Sequence, residues 1–186
     1  MQIIKTPIEG LVEIEPRVFE DARGHFFESY NADAFAAAGI PDVFVQDNQS
    51  LSQRGVLRGL HFQAPPFAQG KLVRVIKGSV WDVAVDIRKD SPTYGQYHGV
   101  HLSEENKKMF WIPPGFAHGF VTLEDGTIFA YKCTNVYNKE SEGAVRWNDA
   151  DLQIEWPIKD FASEVITSEK DDEAPSFTDL QTPFQL

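Results

Sequence analysis

Ser79-Val-Trp-Asp-Val-Ala-Val-Asp-Ile-Arg88 alternates without a break, with Trp81, Val83, Val85 and Ile87 on one parity and Asp82, Asp86 and Arg88 on the other. Successive side chains of an extended segment point to opposite faces, so this is a strand with two unlike faces. Lys77-Gly78 before it reads as a turn, which predicts a long β-hairpin with the strand that Lys71 opens. Working outward, short alternating segments recur at 10–19, 43–50, 56–63, 96–103, 108–113, 115–123 and 127–138. Ala32 to Ala38, stopped by Gly39 and Pro41, reads as a helix, and so does the tail near Ser163. About ten short strands with Gly, Pro and Asp turns predict a mainly β protein, an antiparallel sandwich or jelly roll.

No repeat, low-complexity tract or linker divides the 186 residues, so 1–186 reads as one domain, with a tail from about 149 wrapped over the barrel. The tail mixes acids with isolated apolar residues, as a solvated segment does. Hydrophobic residues make up 42% of the chain and charged ones 24%, a globular composition. The first residues carry acids and no apolar run, and no stretch approaches the roughly 18 apolar residues of a membrane span. One cysteine, Cys133, excludes an internal disulfide and fits a reducing cytosol. The net charge of −11 argues against a nucleic-acid partner. An anionic ligand must therefore be drawn in by a local cluster of Arg and Lys.

Gly55-Val-Leu-Arg-Gly-Leu-His-Phe-Gln63 holds such groups. His61 and Gln63 share a face. Arg58 falls on the opposite parity unless Gly59 bends the strand, as glycine in strands often does. An arginine fork, a histidine near neutral pKa and the nearby Lys71 suit proton transfer on an anionic substrate. Further on, Pro113-Pro-Gly-Phe-Ala-His118 places a histidine just after a glycine turn.

Together these two segments resemble the signature motifs of the cupin superfamily, small jelly rolls with a site inside the barrel. Metal-binding cupins use a His-x-His pair, a glutamate and a last histidine. Here the pair reads His61-Phe-Gln63, and Gln69 stands where the glutamate would be. The resemblance is to a cupin without its metal.

A closer resemblance covers nearly the whole chain. The blocks are Asp21 to Glu28, Val45 to Ser50, Gly55 to Gln63, Gln69 to Arg74, Val85 to Gly95, Ile112 to Phe120, Tyr131 to Tyr137 and Ser168 to Asp171. In this order they resemble the dTDP-4-dehydrorhamnose 3,5-epimerase family. The resemblance implies a thymidine-diphospho-sugar substrate whose keto group acidifies the protons on carbons 3 and 5. No cofactor is implied, in keeping with the lack of a Gly-rich dinucleotide loop.

By resemblance His61 is the base, Tyr131 the proton donor from the other side, Asp171 the carboxylate that orients His61, and Lys71 the stabiliser of the enolate oxygen. Arg23 and Arg58 correspond to diphosphate ligands, Gln46 and Asn48 to polar contacts near sugar and phosphates, and Glu28 to a nucleoside contact. Phe26 and Tyr137 correspond to aromatic residues that pack on thymine. His118, Glu142 and Lys170 match further substrate contacts. The family is typically a homodimer whose N-terminal segment reaches its neighbour, which would carry Arg23, Phe26 and Glu28 to the partner's site. Single-site epimerases keep the same His, Tyr and Lys, so these residues do not separate one-carbon from two-carbon action.

Overall fold

A computed structural model describes residues 1–159 and 165–186. The strands are β1 (Gln2–Lys5), β2 (Val12–Glu15), β3 (Phe19–Asp21), β4 (Gly24–Phe26), β5 (Gln46–Ser52), β6 (Leu57–Gln63) and β7 (Lys71–Lys77). They continue with β8 (Ser79–Asp86), β9 (Tyr97–Ser103), β10 (Met109–Ile112), β11 (Phe116–Thr122), β12 (Thr127–Cys133) and β13 (Glu142–Ala144). Two short helices join them, α1 (Ala32–Ala37) and α2 (Glu169–Asp172).

One sheet runs β1-β2-β10-β7-β12-β5 and the other β13-β6-β11-β8-β9, with antiparallel pairing throughout both. Val73 and Val75, Phe110 and Phe129 of the first sheet pack on Val80, Ala84, Val100 and Phe120 of the second, all nearly or fully buried. Each such side chain removed from water contributes about 1.5–3 kcal/mol before conformational entropy is charged against it. This is an antiparallel jelly roll, as the alternation predicted, and of the cupin type that the two motif segments resemble.

The strand expected at 10–19 ends at Glu15, before Pro16, which has no N–H for a ladder, and only Phe19 of the remainder belongs to a strand, β3. The helix at 32–38 is present as α1. Asn31 caps it by accepting from the Ala34 amide, and Phe35 is its buried anchor. The predicted helix near Ser163 lies outside the described residues. Strands β1, β4 and β13 were not legible in the sequence; they are three or four residues long and mostly exposed or half-buried.

The predicted hairpin of β7 and β8 does not form. Gly78 makes a turn (φ 77°), but β7 pairs with β10 and β12 while β8 pairs with β9 and β11. The turn's backbone bonds elsewhere: Gly78 N donates to Glu104 Oε1, and Glu104 N donates to Gly78 O. Gly78 is thus a corner where the chain changes sheets.

The faces of Ser79–Arg88 have a second surprise. Asp82, Ala84 and Asp86 point into the barrel, both carboxylates fully buried, while Trp81, Val83, Val85 and Ile87 form the outer face. That outer face is covered by Leu152, Trp156, Phe177, Leu180 and Phe184 of the C-terminal segment. The isolated apolar residues of the acidic tail are therefore its anchors. Bridges Val56↔Ile166 and Lys89↔Gln185 tie it down at two points.

Candidate active site

The site opens between the two sheets, in a cavity of about 240 Å³. Arg58, His61, His118 and Phe120 line it from β6 and β11 of one sheet, and Lys71 and Tyr131 from β7 and β12 of the other. Ser168, Lys170 and Asp171 close it from the α2 segment. His61 and Tyr131 thus stand on opposite walls of one cavity.

The bend expected at Gly59 is what puts Arg58 on His61's wall. His118 pairs with His61 and Phe120 with Arg58, so β6 spends one more residue than β11 over this stretch. Such a bulge flips the parity of everything beyond it. Gly59 has φ 138°, and a Cβ there would sit 2.5 Å from the Gly119 Cα, so two glycines allow the close approach. Leu60 and Phe62 consequently face the tail-covered side, and His61 faces the cavity.

Asp171 reaches His61 from far along the chain. Leu57 N donates to Ile166 O and Ile166 N to Gly55 O, which docks the segment beside β6. Ser168 then caps α2 by accepting from the Asp171 amide. The result is a contact of 2.5 Å between His61 Nε2 and Asp171 Oδ1, the carboxylate being almost completely buried. Burial raises the Asp171 carboxyl, but the hydrogen bond and charge of His61, with Ser168 and the Gly59 backbone, hold it below its ordinary value.

Tyr131 is pushed the other way. Burial and Cys133 raise its phenol, only partly offset by Asn48 and Arg58, so it keeps its proton at neutral pH. Lys71 lies near it, with Nζ 6.0 Å from the Tyr131 ring centroid. Burial lowers the Lys71 ammonium, against the pull of Cys133, Asp82 and Glu142. Burial likewise pushes the Cys133 thiol up to about 11, so the one cysteine stays a thiol.

The rim is a hydrogen-bonded chain. Gln46 Oε1 accepts from the Tyr137 amide, Gln46 Nε2 donates to Asn48 Oδ1, and Asn48 stands opposite Tyr131 in the β5–β12 ladder. Lys170 Nζ lies 2.8 Å from Glu142 Oε1, and Glu142 also bonds the Tyr137 hydroxyl. Of the predicted site residues, then, eleven come together here.

Arg23, Phe26 and Glu28 do not join them within the chain. Arg23 and Phe26 belong to the β3–β4 hairpin, with Arg23 paired to Asp21 and Phe26 67% exposed. Glu28 accepts a hydrogen bond from Asn31. None of the three lines the cavity.

Gln63 and Gln69 do not fit a metal centre. Gln63 Nε2 donates to Phe67 O and Val136 O, and its Oε1 accepts from Asn138 N. Gln69 Nε2 donates to Asn135 O. Both amides are staples between the 64–69 and 134–138 loops. Among the described residues, no group of three or more His, Cys, Asp or Glu is arranged to hold a metal ion. No helix among them is long and apolar enough to cross a membrane.

Sequence reasoning missed Asp82, whose two oxygens lie 3.0 and 2.9 Å from His118 Nε2. Its alternation with Ala84 and Asp86 was legible, but alternation does not say which face is inside.

This geometry has close counterparts. The family model for dTDP-4-dehydrorhamnose 3,5-epimerase matches residues 5–179. The enzyme of that name from Salmonella typhimurium is 55% identical over 176 residues, 94% of each chain. A crystal structure from Legionella pneumophila, in complex with dTDP-4-keto-L-rhamnose, superposes with a TM-score of 0.92 at 51% identity, covering 96% of this chain and 94% of the other. A 3′-monoepimerase from Streptomyces bikiniensis, in complex with dTDP-quinovose, superposes with a TM-score of 0.86 at 31% identity, over 93% and 86% of the two chains. With most of its motif residues gathered at one cavity and this likeness along nearly its whole length, the chain belongs to the dTDP-4-dehydrorhamnose 3,5-epimerase family.

Proposed function

We propose that the protein converts dTDP-4-dehydro-6-deoxy-D-glucose to dTDP-4-dehydro-L-rhamnose by inverting carbons 3 and 5, a step of dTDP-L-rhamnose biosynthesis. The observation that carries this reading is a base and an acid on opposite walls of one cavity, His61 backed by Asp171 and Tyr131 kept protonated by burial. His61 takes the proton alpha to the keto group, and the electron pair moves onto the carbonyl oxygen as an enolate. Lys71 stabilises that oxygen, where the transition-state charge develops. Tyr131 returns a proton to the opposite face, which inverts the carbon. The cycle neither gains nor loses electrons, so it calls for no redox cofactor.

Arg58 and Lys170 supply local positive charge against the net −11. Tyr137 at the rim offers a face for the thymine. Arg23, Phe26 and Glu28 act in the neighbouring subunit of a homodimer with exchanged hairpins, a reading supported by their distance from the cavity of their own chain. A single buried, unpaired thiol is compatible with a cytoplasmic location.

Incubation with dTDP-4-keto-6-deoxyglucose in deuterium oxide tests the reaction. Deuterium at both carbons 3 and 5 is expected, after exhaustive chelation as well as before it. Label at one carbon alone would instead make the protein a monoepimerase like the Streptomyces bikiniensis relative. For the exchange, an Arg23→Ala chain mixed with a His61→Asn chain should recover activity, since one hybrid site keeps both residues. Mixed dimers without recovery would place Arg23 in its own chain's site.

A further inference from the structure

We propose that Asp82 is a positioning residue: it holds His118 as the Nε2–H tautomer, so that Nδ1 presents a lone pair to the hydroxyl on carbon 2 of the sugar. The inference deepens the epimerase reading and rests on it for the identity of the sugar.

Asp82 sits on β8 and His118 on β11, neighbours in one sheet, two residues apart in register. Both Asp82 oxygens lie within 3.0 Å of His118 Nε2, and the two side chains are 0% and 7% exposed. His118 is the one hydrogen-bond donor to Asp82 among the described residues. A buried carboxylate accepts and does not donate, so Nε2 must carry a proton. A neutral imidazole has one N–H, and the proton on Nε2 leaves Nδ1 as an acceptor. Burial favours the neutral ring, and the charges of Lys71 and His61 add to that, outweighing the attraction of Asp82. Nδ1 has no hydrogen-bond partner among the described residues, while His118 lines the cavity.

The sugar carries hydroxyls on carbons 2 and 3. The carbon-3 hydroxyl changes sides when that carbon inverts, so a rigid acceptor could match it in only one of the two configurations. The carbon-2 hydroxyl keeps its place through the reaction. An acceptor locked by a buried carboxylate therefore suits carbon 2, and it would hold the ring while His61 and Tyr131 exchange protons across it.

Two measurements test this. In wild-type protein labelled with 15N-histidine, without substrate, long-range proton–nitrogen correlations should show His118 Nδ1 unprotonated and Nε2 protonated at neutral pH. The opposite tautomer, or a doubly protonated ring, overturns the proposal. Second, Asp82→Asn, whose amide can donate to the ring and release the tautomer, should lower kcat/KM about tenfold or more on the natural sugar nucleotide. With the 2-deoxy analogue the same substitution should cost less than about twofold. An equal loss on both sugars would show a merely structural role and overturn the proposal. An inactive wild type would instead sink the epimerase reading and leave the tautomer result standing.

Discussion

His61 Nε2 and Asp171 Oδ1 lie 2.5 Å apart although 110 residues separate them in the chain. Partly exposed base and buried carboxylate thus form one unit, the carboxylate fixing the ring's orientation. Asp171→Asn keeps the shape and removes the charge. It should lower kcat by roughly 100- to 10,000-fold, the range general acid–base catalysis spans, with KM little changed. Steady-state kinetics would check it, and a change confined to KM would argue against this pairing.

Base and acid should separate by isotope. His61→Asn should abolish deuterium uptake at both carbons, because both protons leave toward the same wall. Tyr131→Phe should impair reprotonation more than proton loss, so that exchange survives while inverted product falls. Near wild-type exchange in His61→Asn would remove it as the base.

The Gly59 bulge predicts a structural lesion with a catalytic readout. Gly59→Ala would drive a Cβ into the Gly119 Cα and the His118 carbonyl, at a backbone φ that L-residues rarely adopt. We expect a loss of about 1–3 kcal/mol in stability. We also expect a disproportionate loss of activity, since straightening β6 would turn Arg58 away from His61. Urea unfolding and kinetics on the same sample would compare the two.

Arg58→Lys keeps the charge and loses the planar fork. Losing one charge-assisted hydrogen bond to the diphosphate costs about 1.5–3 kcal/mol, roughly tenfold or more in affinity. Titration calorimetry with dTDP would measure it; unchanged affinity would mean that Arg58 does not grip the phosphates.

Asp86 should report on acid stability. Burial raises its carboxyl, but Arg88, Ser91 and Thr93 donate to it and hold it below the ordinary value near 3.8. A depressed carboxylate stabilises the fold above the unfolded value, and that contribution is lost as pH falls through the folded value. Asp86→Asn should therefore cost about 3 kcal/mol at pH 7, and the gap to wild type should narrow below about pH 4. Denaturant unfolding at both pH values would show it.

Local chemistry was legible in the chain by itself. Alternation at Ser79–Arg88 and its relatives marked the strands, because a period of two is a property of the extended backbone alone. The alanine-rich run Ala32 to Ala38, stopped by Gly39 and Pro41, marked α1. The ordered motif blocks carried the family, and Gly59 beside Arg58 flagged the bend that the register now shows. Everything that depends on which surfaces meet was decided by the tertiary structure. Alternation could not say that the aspartates of Ser79–Arg88 face inward, because its apolar face is buried too, under the tail. Nor could a turn at Gly78 reveal that its two strands part into different sheets, since pairing follows the partners that bury each face. Asp171 meets His61 only once Ile166 docks beside β6, and Asp82 meets His118 only across neighbouring strands. The 19–26 hairpin stands away from the cavity for the same kind of reason: nothing in its three-residue strands obliges it to pack on its own barrel.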